Sequence, residues 1–108
     1  MTSTPLRLTA ILAGSLVLGA CTFVPVTSDG EQVRVATSAD VQGCERLGHT
    51  TVTIRERIGL VRRPPEKLAA EAEATARNAA AADWNANAIV PRGGPVQDGR
   101  QVYDVYRC

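Results

Sequence analysis

A run of alanines bracketed by proline and asparagine is the feature that most narrows what this chain can become. From Glu66 to about Asp83 the residues are mostly strong helix formers. Pro65 suits a first helical turn, and Glu73 and Arg77 stand four apart in the favourable order. Leu68, Ala69, Ala72, Ala76, Ala79 and Ala80 recur at helical spacing and form a narrow, mostly methyl face. Side chains that small let a helix approach a sheet closely. The other use of such a face is pairing between copies, but in one small domain its own sheet is the expected partner. Trp84-Asn85-Ala86-Asn87 ends the segment, because asparagine tolerates the left-handed geometry at which helices stop.

On either side of this helix the period changes to two. Val33 and Val35 alternate with Gln32 and Arg34, and Ser38-Ala39-Asp40-Val41 with Gly43 reads as a turn that delivers Cys44. After Leu47-Gly48 comes a longer alternation, with Val52, Ile54 and Ile58 on one face and Thr51, Thr53, Arg55 and Arg57 on the other. Arg62-Arg63-Pro64-Pro65 interrupts it, since proline cannot continue a ladder. Ala88-Ile89-Val90 begins another strand, Gly93-Gly94-Pro95 and Asp98-Gly99 mark turns, and Gln101 to Arg107 forms the last strand. The order β-β-α-β-β predicts an α+β fold: a small, mainly antiparallel sheet with one helix packed on a face.

The first twenty residues carry an address. One positive charge at Arg7, an apolar run from Leu8 to Leu18 and small residues after it make a secretory signal. Polar Thr22 and Pro25/Ser28/Asp29/Gly30 follow too soon for a membrane span, which needs about 20 apolar residues. Leu18-Gly19-Ala20-Cys21 reads as a lipobox, with a branched residue three before the cysteine and small residues between. The expected division is a lipoprotein signal peptide over 1–20, a lipidated N-terminus and short tether over 21–31, and a domain over 32–108. An ordinary signal peptide cut after Ala20, with Cys21 left as a thiol, is the alternative. Each buried methylene of a lipid on Cys21 adds about 0.8 kcal/mol, so attachment through two or more chains is stable. Thr22 is not the aspartate that favours inner-membrane retention in enteric bacteria, so the expected site is the periplasmic face of the outer membrane.

Loss of Arg7 brings the formal charge from +1 to zero, which leaves no electrostatic footprint for nucleic acid. Aromatics are few (Phe23, Trp84, Tyr103 and Tyr106), so much of the core must come from Val, Ile, Leu and Ala. A core of this size is marginal and calls for a staple. With Cys21 taken by lipid, Cys44 and Cys108 remain in an oxidising compartment and allow one intramolecular bond. It would tie the last residue to the middle of the chain, worth about 4 kcal/mol of loop entropy. The competing reading is a ligand or metal site built from Cys44, His49 and Cys108. A soft-metal site usually has four ligands, and the chain offers neither C-x-x-C nor H-x-x-H spacing.

Other motifs read blandly. Gly93-Gly94 precedes proline rather than opening a helix, unlike a phosphate-binding loop. His49 has no nucleophile and positioned acid assignable by spacing. Arg55, Arg57, Arg62 and Arg63 could touch anionic lipid or lipopolysaccharide phosphates, but the expected role is a solvated strand face partly balanced by Glu56 and Glu66. Trp84 is expected in the core or at the helix cap. No catalytic residue, metal or cofactor is expected, and the chain reads as a non-enzyme.

Val33/Val35, Cys44-Glu45-Arg46-Leu47-Gly48, Asn85-Ala86-Asn87-Ala88-Ile89-Val90 and Tyr106-Arg107-Cys108 together resemble small proteobacterial lipoproteins of a family catalogued as a domain of unknown function. Its pattern is a lipobox, C-x-x-L-G, A-N-x-V and a terminal Y-x-C. Asn85 stands where that family often has glycine. The same plan is more distantly similar to the outer-membrane lipoprotein that senses envelope stress for the Rcs phosphorelay. This chain departs from that relative in lacking a long proline-rich linker and in having two domain cysteines rather than four. The resemblance implies an α+β domain held by a Cys44–Cys108 disulfide and working through protein contacts. The expectation is a membrane-anchored, non-enzymatic interaction or sensor module with an envelope protein partner.

Overall fold

The computed structural model describes residues 24–108; the proposed signal peptide and Cys21 lie outside the described residues. Alternation in the last strand organises the whole. In β6 (Arg100–Arg107), Gln101, Tyr103 and Val105 are buried on one face, while Val102, Asp104 and Tyr106 stand half-buried on the other. β6 is flanked by β2 (Glu45–Thr53) and β5 (Ala88–Gln97), both antiparallel to it, and β1 (Arg34–Val35) adds to β5 in parallel. The sheet order is β1-β5-β6-β2, an α+β architecture as the periodicity predicts. Asp98 and Gly99 join β5 to β6 with φ of 53° and 70°, the two-positive-φ turn whose twist matches the flanking strands. A Cβ on Gly99 would stand 2.6 Å from the Ile54 carbonyl oxygen, so this turn closes against the end of β2.

Helix α1 (Pro65–Trp84) starts from Pro64 in extended geometry and stops where Asn85 turns left-handed at φ 52° and ψ 41°, its N–H bonded to Ala81. Leu68, Ala72, Ala76 and Ala80 are buried and pack with Val33, Val52, Ile54, Ile89, Tyr103 and Val105 to form the main core. A second, smaller core occupies part of the opposite sheet face. The loop from Ala36 to Cys44 folds over Ala88 and Val90 with Ala36 and Val41, beside Tyr106. A reciprocal turn holds that loop: the Thr37 N–H donates to Asp40 Oδ2 (3.0 Å) and the Asp40 N–H to Thr37 Oγ1 (3.2 Å). The backbone donor first and the hydroxyl second hold the Asp40 carboxyl below its ordinary range.

Two local expectations change. The alternation of β2 does not run on to Ile58: β6 begins at Arg100, opposite Thr53, and after the Ile54 N–H bonds the Gly99 carbonyl in the turn (2.7 Å) no strand is left to pair with. The chain instead pairs with itself as β3 (Arg57–Ile58) and β4 (Val61–Arg62), turning through Gly59 at φ 64° and leaving Ile58 exposed. Gly93-Gly94-Pro95 is not a separate turn. It lies inside β5, where the ladder with β6 is interrupted between Arg92 and Gln97.

Candidate functional site

Three sets of bonds converge on Arg107 and Cys108, at the end of the last strand. Cys108 is disulfide-bonded to Cys44 across 64 residues of sequence, with Cα atoms 4.6 Å apart. The Asn87 carboxamide grips the same residue, accepting from the Cys108 N–H (2.8 Å) and donating to its carbonyl (3.0 Å). The Arg107 guanidinium donates to the Trp84 and Asn85 carbonyls at 3.1 Å each, a cation on the negative end of the helix. The second asparagine of the helix stop is therefore a clamp on Cys108, a role that reading it only as a helix breaker misses. Asn85, Ala86, Asn87, Arg107 and Cys108 line one side of an open cavity of about 500 Å³.

Gly48 explains the Leu47-Gly48 step. A Cβ there would fall 2.6 Å from Cη2 and 2.9 Å from Cζ3 of Trp84, so the indole lies directly on the strand backbone. Just before it, the β2–β6 register slips between Arg46 and Gly48. That bulge places Arg46 and His49 on the open face, with His49 directly across from Asp104.

Asp104 is the centre of this face. Its Oδ1 accepts from Arg92 Nη2 on β5 at 2.5 Å and from Arg46 Nη2 on β2 at 2.7 Å, so one carboxylate ties three strands. Burial pushes its pKa up, but the Arg92 and Arg46 guanidiniums outweigh that and hold it below the usual carboxylate range. Arg46 is correspondingly raised, first by its bond to Asp104. Thr51, Thr53 and Arg100 complete an exposed and net positive surface on a rigid sheet. The arrangement offers planar guanidinium donors oriented by Asp104, with further N–H groups able to donate to a carboxylate or amide.

The structure places the remaining candidates as follows. The Cys44 and Cys108 sulfurs are bonded to each other, whereas a Cys44/His49/Cys108 ligand set requires both as thiolates. Among the described residues no group of three or more His, Cys, Asp or Glu is arranged to hold a metal ion. Trp84 is partly buried against the main core. Buried Tyr103 has its phenol pushed up to about 12, by desolvation first and the Glu73 charge second. Arg63 is not part of a solvated strand face balanced by Glu56 and Glu66. It donates to Glu71 on α1 (2.5 Å) and to the Arg55 carbonyl (2.8 Å), because the hairpin folds its base onto the first turns of the helix. The expected Glu73–Arg77 pair forms at 3.7 Å. Arg77 makes a shorter bond to the Val33 carbonyl (2.8 Å) and, with Asn78, which bonds Pro25 and Thr27, fastens residues 25–33 to the helix.

A family model described as "Domain of unknown function (DUF4156)" matches residues 24–108, all of the described chain. No curated protein and no solved structure matches the chain.

Proposed function

The chain belongs to the DUF4156 family, and from that premise we propose that it is a membrane-anchored lipoprotein of the bacterial envelope whose domain acts as a non-enzymatic interaction or sensor module. Leu18-Gly19-Ala20-Cys21 supports the anchor, with the lipid on Cys21 and Thr22 favouring the periplasmic face of the outer membrane. The Cys44–Cys108 bond suits an oxidising compartment. The distant similarity to the Rcs stress-sensing lipoprotein supports work through protein contacts.

The observation that carries the interaction reading is the Arg46–Asp104–Arg92 network beside His49. Two guanidiniums are held in fixed orientation by one shared carboxylate, on strands that cannot move independently. A partner presenting an acidic or amide-rich segment would meet donors whose ordering entropy is already spent.

Photocrosslinking in whole cells tests this. A crosslinking residue at Thr51, on the open face, is expected to capture an envelope protein, and Arg92→Glu is expected to abolish the capture. The same group at Asp83, the exposed end of the helix, is the control. Equal capture from both positions, or capture indifferent to Arg92→Glu, refutes the assignment of this face. Mass spectrometry of the native protein, alkylated without reduction, tests the anchor separately. Lipid on Cys21 with Cys44 linked to Cys108 is the expected result.

A further inference from the structure

The β3–β4 hairpin carries a composition that its place in the fold does not explain. Leu60 is 96% exposed, Val61 68% and Ile58 55%, three large apolar side chains gathered at one projecting tip. One residue back along both strands, Arg57 stands directly opposite Arg62. Like charges at opposed positions of an antiparallel pair repel. Among the described residues neither of these arginines, nor Arg55, makes an ion pair. The base is rigid by contrast, with Arg63 N–H on the Glu56 carbonyl (2.8 Å) and its guanidinium on Glu71. The hairpin therefore holds a water-exposed apolar tip and an unneutralised pair of guanidiniums in fixed order.

That order matches the layers of a bilayer surface. Apolar side chains favour the acyl boundary, and guanidiniums just behind them reach the phosphates, which they bind bidentately while their stems stay in apolar surroundings. An anion between Arg57 and Arg62 also relieves their repulsion. The hairpin pairs only with itself, apart from the four-stranded sheet, and with Leu60 96% exposed its tip is free to enter a soft surface. We propose that Ile58, Leu60 and Val61 insert into an anionic phospholipid leaflet while Arg57 and Arg62 pair with its phosphates, giving the domain a second membrane contact that sets its orientation. The geometry fits the lipid reading of Cys21, on which this orientation role rests. From Cys21 to Pro25, whose carbonyl is already bonded to Asn78 on the helix, four residues span at most about 14 Å. The domain would thus be held within reach of the surface.

The test uses the full-length chain, purified from membranes and reconstituted in phosphatidylethanolamine vesicles containing phosphatidylglycerol. A Leu60→Cys variant carries an environment-sensitive fluorophore, and Asp83→Cys carries the same label as the control. The expected result is a blue-shifted, several-fold brighter signal at position 60, quenched by brominated acyl chains, with position 83 remaining solvent-like. Arg57→Glu with Arg62→Glu is expected to remove that signal, as is replacement of phosphatidylglycerol by phosphatidylcholine. A label at 60 as solvated as that at 83 overturns the proposal, as does insertion indifferent to both the arginines and the anionic lipid. Protection of position 60 in native membranes but not in vesicles also overturns it, since a protein then covers the hairpin. Labelling of the unsubstituted chain at Cys21 reports failure of the anchor reading by itself, independently of the tip's depth.

Discussion

Replacing Gly48 by alanine sets two effects of known size against each other. Glycine inside a strand is the costlier residue in conformational entropy, so alanine should gain up to about 1 kcal/mol if space allows. Space does not allow: the added methyl would lie 2.6 and 2.9 Å from two atoms of the Trp84 six-membered ring. The ring could swing aside only by changing its side-chain torsions, which would give up its packing against the main core. Trp84 is the last helical residue, its carbonyl is bonded by Arg107 and the next residue turns left-handed. Overpacking of this kind costs about 1–3 kcal/mol, so Gly48→Ala is expected to destabilise by about 1–2 kcal/mol net. For a domain of this size that lowers Tm by roughly 4–16 °C, read by far-UV circular dichroism with the disulfide intact. The decisive step is the double-mutant cycle with Trp84→Leu, which removes the ring. In that background Gly48→Ala should be neutral or slightly stabilising, a coupling energy of at least about 1 kcal/mol. Additive effects within about 0.5 kcal/mol would refute the claim that this glycine exists to seat the indole.

Replacing Cys44 and Cys108 together by serine should cost about 4 kcal/mol through loop entropy; an unchanged urea midpoint would show that the bond constrains nothing in the unfolded chain. Asn87→Ala should remove both bonds to Cys108 at a cost of about 1 kcal/mol, given their exposure. It should also speed reduction of the disulfide by dithiothreitol, and unchanged reduction kinetics would refute the clamp. Asp104 has a depressed folded pKa, so its contribution is present above its unfolded pKa of about 3.9 and is lost as pH falls through the lower folded value. Asp104→Asn should therefore be less stable than the parent near neutral pH and flatter in stability below about pH 4; parallel pH profiles would count against the network.

Much of the architecture was legible because its signals are local. The helix from Pro65 to Trp84, its asparagine stop and the Asp98-Gly99 hairpin each follow from backbone preferences of the residues themselves. The C-x-x-L-G and A-N-x-V segments were legible only as patterns. Their reasons, an indole on Gly48 and a carboxamide on Cys108, join residues 36 and 21 positions apart. The candidate face was harder still. Arg46, Arg92 and Asp104 share no spacing and meet through strand order and a one-residue bulge. His49 drew notice as the sole histidine, yet its neighbour in space is Asp104 rather than a cysteine.

By itself the sequence determined which segments are helix and strand, that small side chains bring them close, and that two cysteines were available to each other in the domain. Those are properties of dihedral preference, periodicity and composition, which act over a few residues. Only the tertiary structure decided where β2 loses its partner. A strand persists as far as a neighbour supplies hydrogen bonds, and β6 begins opposite Thr53. Beyond that point Ile58 and its neighbours, patterned as the inner face of a strand, become an exposed apolar hairpin between two arginines. Burial is a property of the whole sheet, and no local pattern can report where the sheet ends.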